Sequence, residues 1–242
     1  MRALRITSII LGILIALAIA ADRVTVGIAE GEVASRLRST YGLAEEPEVK
    51  IQGFPFLTQV AGRHLDHVDA NLSAYDATVD GQALTVTDLN IELRDVEINS
   101  SFSEVVAGTA TGDGLISYEE LTRAYGELLG GAGNGFAVEF RQGEGEQVLL
   151  ALQVTVAGQS LTLDEIPASL VVSDGAITLD VDEADIPTFP EIPGADVNAT
   201  VQEQLNAAHS IEGLPAGLSL DSLTPGADGV RADVSGADVV LN

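Results

Sequence analysis

An apolar–polar alternation that twice changes phase constrains the fold of this chain more than any other feature. In the run from Ala83 to Ile98, Leu84 and Val86 share one parity, Leu89, Ile91 and Leu93 the other, and Val96 and Ile98 return to the first. Strand side chains point alternately to the two faces, so a one-residue slip inside such a run signals a β-bulge. Bulges bend sheets, and a strongly curved antiparallel sheet is expected. Other segments alternate without a slip. Val68, Ala70, Leu72 and Ala74 take turns with Asp69, Asn71, Ser73 and Tyr75. Val148, Leu150, Leu152, Val154 and Val156 make the cleanest alternation in the chain. Shorter strands are expected over 48–52, 136–141 and 161–163, a longer one over 168–181, and the last ones within 218–241.

Helical spacing is sparser. Val26, Ala29, Val33 and Leu37 form an apolar stripe over Asp22 to Tyr41, with Gly42 placed to end the helix. That stripe suits either packing on a core or contact with lipid. In Gly53-Phe54-Pro55-Phe56-Leu57-Thr58-Gln59-Val60-Ala61-Gly62, Pro55 suits a helix start and Gly62 its end. This predicts a two-turn helix presenting Phe56, Leu57 and Val60, with Phe54 and Phe56 facing an apolar interior. Ser117 followed by Glu120 reads as a capping box opening a helix to about Leu129. A weaker helix is expected over 197–208, after an extended segment that holds Pro187, Pro190 and Pro193. A few helices among long antiparallel strands make the class α+β. No break in composition demands a boundary, so residues 22–242 read as a single domain.

The first 21 residues stand apart. Arg2 and Arg5 precede an apolar or small-residue run from Ile6 to Ala21, and Ala18-Ile19-Ala20 fits a small-x-small cleavage pattern. The run is somewhat short for a full membrane span, and the segment after it is helical in pattern. A cleaved signal peptide and a retained membrane anchor are therefore both open. Either places the rest of the chain outside the cytoplasm, secreted or held in the cell envelope. Cysteine is absent, so neither disulfides nor a lipid-modified cysteine operates here.

Charge excludes several functions. Thirty-seven acids face 11 Lys plus Arg, for a net charge of -26. Such a surface repels nucleic acid and anionic head groups. It serves solubility, with Asp-rich cation-binding loops as the sharper alternative. Asp113, Gly114 and Glu120 have EF-hand spacing, but Thr109 and Thr111 occupy positions that need carboxylates. His64 and His67 lie three apart at a strand entrance, where they point to opposite faces, so no metal site is assigned. The chain has no nucleophile-elbow motif and no Trp to line sugar subsites, and Lys50 is its one lysine. No catalytic residue and no cofactor are assigned. Apolar surface on bent strands suits an apolar ligand better than a reaction.

Ile51-Gln52-Gly53-Phe54-Pro55-Phe56-Leu57-Thr58-Gln59-Val60, followed by Gly62, Leu65, Asp66 and Val68, resembles the signature of LmeA-like phospholipid-binding proteins of the bacterial cell envelope. The helix after the leader and the Ile116-Ser117-Tyr118-Glu119-Glu120-Leu121 segment resemble that family too. The resemblance implies a curved antiparallel sheet wrapped around a long N-terminal helix, as in tubular lipid-binding proteins. It further implies a phospholipid or other acyl-chain ligand, a supporting role in envelope lipid or lipoglycan assembly, and no catalysis. This chain departs from a head-group binder in its acidity. A sheet bent over one helix of small and medium side chains is expected to leave an elongated groove. Val26, Val33, Leu37, Phe56, Leu72 and Leu152 are its candidate lining, with Phe54 and Leu57 from the short helix beside them. A non-catalytic structural or interaction protein of the envelope, with a packed core in place of the groove, is the alternative.

Overall fold

In a computed structural model, residues 2–101, 104–130, 136–156, 159–173, 175–182, 207–212 and 214–241 are described. The fold is α+β. Helix α1 (Arg2–Tyr41) runs unbroken through both the apolar leader and the amphipathic segment. It is followed by β1 (Glu48–Gln52), α2 (Phe56–Gly62), β2 (His64–Val79), β3 (Gln82–Ile98), β4 (Val105–Ser117) and α3 (Tyr118–Gly130). The second half holds β5 (Phe136–Gln142), β6 (Gln147–Val156), β7 (Gln159–Ser173), β8 (Ala176–Val181), β9 (His209–Glu212), β10 (Leu218–Pro225) and β11 (Gly229–Leu241). The helix expected over 197–208 falls, up to residue 206, outside the described residues, as does the proline segment.

Strands pair antiparallel in the order β10-β11-β4-β3-β2, with β1 on the far edge of β2. A four-stranded set, β8-β7-β6-β5, continues from it through the short β9, which pairs with β2 at Val79 and with β8 at Ile177. The run expected as one strand over 168–181 is instead the end of β7 and all of β8, paired from Ser173 opposite Ala176. Gly175, at φ 75°, makes the turn between them, and Asp174-Gly175 is a sequence suited to a tight hairpin.

Both phase slips in β3 have a backbone cause. Asp88 (φ 50°) lies between Val86 and Leu89, and Asp95 (φ 51°) between Leu93 and Val96. Aspartate tolerates the left-handed region better than most residues, and each turn of the backbone moves the following side chains to the other face. β2 changes phase in step, burying Leu65, then Val68, Ala70 and Leu72, then Val79. The irregularity at Asp95 crosses the sheet. Its neighbour on β4 is Gly108, where a Cβ would lie 3.1 Å from the Asp95 Cβ. Beyond that, Asp238 on β11 repeats the positive φ at 51°.

Two helices cover exposed strand edges, which would otherwise offer unpaired N–H groups. The Ile51 N–H of β1 donates to Glu30 Oε1 of α1 at 2.9 Å. The Phe140 N–H of β5 donates to Thr122 Oγ1 of α3 at 2.9 Å. Helix α3 begins as read: the Glu120 N–H donates to Ser117 Oγ at 3.2 Å. The Glu120 carboxylate, however, turns to the Thr85 N–H of β3 at 3.1 Å and to Arg123. These partners hold its pKa below the ordinary glutamate value, the Arg123 hydrogen bond most of all.

Three apolar clusters result. One lies among β5–β8 and α3, with Val148, Leu150, Ile166 and Ala168 fully buried. A second lies among α1, α2 and β1–β4, and a third, smaller one joins Val79, Leu84, Ile116 and Ala124. In the first, Tyr125 packs edge-on against Phe140 (5.4 Å between centroids) and against His209 (5.2 Å). Burial pushes the Tyr125 hydroxyl up from 10.0 to about 12. Its proton is then held by the fold where the unfolded chain releases it. That stability is complete below pH 10 and is lost as pH rises through about 12. The loss amounts to about 2–3 kcal/mol. Denaturant titrations from pH 8 to 11.5 should show this decline, and Tyr125→Phe should flatten it. Tyr75 and Tyr118, also raised by burial, contribute in the same direction.

Candidate functional site

The second cluster contains the segment singled out by its sequence. Helix α1 meets β1 and α2 along Asp22, Val26, Ala29, Glu30, Ala34 and Leu37. Val33 was expected on this stripe but is 38% exposed, whereas Ala34 is 5% exposed. The reason is the Glu30–Ile51 hydrogen bond, which draws β1 to the Glu30 and Ala34 side of the helix. The helix closes as expected, with Gly42 at φ 66° and the Leu43 N–H donating to the Arg38 carbonyl at 3.0 Å. That is the six-to-one bond of a Schellman ending, and it delivers Leu43 into the cluster.

Helix α2 is locked to α1 from its first turn. Pro55 is its N-cap and has no side-chain capping group. Asp22 of α1 supplies one instead. Its Oδ1 accepts the Leu57 N–H at 2.9 Å, while its Oδ2 accepts from Arg23 at 2.6 Å. Asp22 is 2% exposed. Gln59 fixes the other side of the corner, donating from Nε2 to the Gln52 carbonyl (3.3 Å) and accepting the Asp66 N–H at Oε1 (2.9 Å). Gly53, at φ 95°, lies against that same amide, so a Cβ there would strike Gln59. The helix ends at Gly62 as expected, and Arg63 caps it in the left-handed region at φ 57°. Gln52, Gly53, Gln59 and Asp66 of the signature thus hold the corner in shape.

The candidate lining residues separate into three groups. Val26, Phe56 and Leu72 are buried together in this cluster, with Leu37 half-buried against it. Val33, Phe54 and Leu57 face outward; Phe54 is 58% exposed against 4% for Phe56. The expectation that both rings turn inward is corrected for Phe54. Pro55 starts the helix between them, so the chain enters with Phe54 outside and carries Phe56 inside. Leu152 is buried with Phe140 and Ile166 in the first cluster, next to Tyr125 of α3. The structure therefore does not bring Leu152 to the layer that holds Leu72. Of its alternating partners, Val154 and Val156 have side chains outside the described residues.

Polar groups near the site are paired with one another. His67 Nε2 lies 2.8 Å from Asp69 Oδ1 and 3.2 Å from Glu92 Oε1, and His64 Nε2 is 3.6 Å from Asp66 Oδ1. Among the described residues, no three His, Cys, Asp or Glu side chains converge as metal ligands would. The layer under α1 can do little chemically beyond excluding water from apolar groups. Sequence reasoning missed Asp22 and Glu30 as clamps. An acid directly after an apolar run reads as a boundary marker, and nothing local says that it reaches 35 residues along the chain.

A protein-family model described as LmeA-like phospholipid-binding matches residues 20–235. No curated protein and no solved structure matches the chain.

Proposed function

The chain belongs to the LmeA-like phospholipid-binding family, and we propose that it holds phospholipid acyl chains outside the cytoplasm, in the cell envelope, in support of lipid or lipoglycan assembly. The family match over nearly the whole chain carries this reading. The layer among α1, α2 and β1–β4 is the proposed binding region, with Val26, Leu37, Phe56 and Leu72 inside and Val33, Phe54 and Leu57 at its rim. Burying acyl chains there is worth roughly 0.8 kcal/mol per methylene, so ten would give about 8 kcal/mol before ordering costs. No head-group cation is required by this mechanism, which accommodates the acidic surface. Catalysis has no part in it.

We also propose that the leader is retained as an anchor. Helix α1 is long and apolar enough to cross a membrane by length and composition, and it enters the domain without a break. Arg2 and Arg5 would lie on the cytoplasmic side, as positive flanks do.

Lipid extraction and native mass spectrometry of the purified chain should recover a phospholipid. Leu72→Trp should lower its occupancy while the domain stays folded, because the ring fills lipid space. Leu152→Trp, in the other cluster, should strain the fold and leave lipid occupancy unchanged. A lipid-free wild type together with an unfolded Leu72→Trp would show a packed core and favour a structural envelope protein.

A further inference from the structure

The uncharged apolar run at the start of α1 spans less than the full thickness of the hydrocarbon core that the helix crosses. Its sixteen residues, Ile6 to Ala21, rise about 24 Å at 1.5 Å each, against a hydrocarbon core of about 30 Å. The deficit is about one helical turn, Asp22 to Thr25. That turn carries an acid, a base and a hydroxyl, yet each has a protein partner. Asp22 is covered by α2 and spends its carboxylate on the Leu57 N–H and on Arg23. The Thr25 hydroxyl donates back to the Ala21 carbonyl at 2.9 Å. Arg23 also donates to the Gly53 carbonyl at 3.3 Å, and its guanidinium carbon lies 5.4 Å from the Phe54 ring centroid. The large apolar side chains exposed at this level are Val24 and Ile28, one turn apart on α1, and Phe54 and Leu57 on the corner itself, with Arg23 and Thr58 the exposed polar residues beside them.

We propose that this corner, α1 from Asp22 to Ile28 together with Gly53 to Leu57, is sunk into the outer leaflet of the bilayer that α1 crosses. Val24, Ile28, Phe54 and Leu57 form its lipid-facing collar. The hydrogen bonds from the Leu57 N–H to Asp22 and from Arg23 to the Gly53 carbonyl fix the height of Phe54 and Leu57 relative to the end of the apolar run, so the depth follows from the helix. Arg23 extends over Phe54 towards the head groups, as long cations do at interfaces. The collar sets Phe56, and the apolar layer behind it, directly at the membrane surface. An acyl chain could then pass between leaflet and protein without crossing water.

The proposal rests on retention of the anchor, and the test separates the two. The chain has no cysteine, so a single introduced cysteine carries a unique polarity-sensitive label. Full-length Leu14→Cys, Phe54→Cys, Leu57→Cys and Val171→Cys variants are labelled and reconstituted in phosphatidylcholine vesicles; Val171 is an exposed apolar residue of β7. The labels at positions 14, 54 and 57 should lose most of their emission to a lipid-borne nitroxide and resist aqueous iodide, with the label at 171 showing the reverse. If position 14 is in lipid while 54 and 57 are reached by iodide, the anchor stands and the collar is overturned. If position 14 is itself in water, the anchor reading fails and the collar fails with it.

Discussion

Replacing Phe56 by alanine should lower the unfolding free energy by about 3–5 kcal/mol, the cost of emptying a buried aromatic site. Phe54→Ala, two residues away, should change it by less than about 0.5 kcal/mol. The contrast follows from exposures of 4% and 58% in the same short motif. Phe56 is the first residue of α2 and is buried in the cluster that also holds Val26, Ile51 and Leu65. Its loss removes the wedge between α1 and the sheet. The Leu57–Asp22 hydrogen bond limits how far α2 can settle into the gap. Urea unfolding followed by circular dichroism measures both variants. A Phe56→Ala protein of unchanged stability but reduced lipid content would make the ring part of a groove mouth. Unchanged stability and lipid content together would remove Phe56 from both roles.

Much of this was legible in the sequence, for identifiable reasons. The two phase slips in β3 were readable because large apolar residues flank each one, and both proved to be single aspartates in the left-handed region. The α2 segment and the Gly42 helix ending were readable from Pro and Gly placed where their backbone preferences are diagnostic. β4 was not. Its Gly108, Gly112 and Gly114 depress strand propensity, yet a Cβ at Gly114 would collide with Val86. The signal for that strand therefore sits in its neighbour. The division of the lining residues was also illegible. Leu72 and Leu152 have the same local pattern, and only pairing shows that one strand lies next to β1 and the other next to β5. Val33 failed for a similar reason. Helical periodicity gives the face of α1, but one long-range hydrogen bond from Glu30 sets which edge of that face meets β1.

Leu150→Ala should cost about 2–5 kcal/mol, and the way the chain unfolds in that variant decides whether residues 22–242 are one folding unit. Leu150 is fully buried in the β5–β8 cluster, which shares none of its buried residues with the cluster around Phe56. Sites without shared partners add to within about 0.5 kcal/mol, so the double variant should lose the sum of the two single effects. That sum is comparable to the whole stability of a typical domain, about 5–15 kcal/mol, and the double variant should be largely unfolded at 25 °C. The single variants are more informative. Val230 of β11 is buried in the β5–β8 cluster, and Leu121 and Leu223 pack against both that cluster and the smaller third one. β9 pairs with one strand of each sheet. These links predict one transition, shifted by either substitution. Hydrogen exchange should accordingly report the same loss of protection in β2 and β6 for Leu150→Ala. If Leu150→Ala instead splits unfolding in two, with β2 still protected after β6 has opened, the two sheets are separate folding units. The lipid-binding reading would then apply to the α1–β4 half with β10 and β11, and the α3–β8 half would need a role of its own.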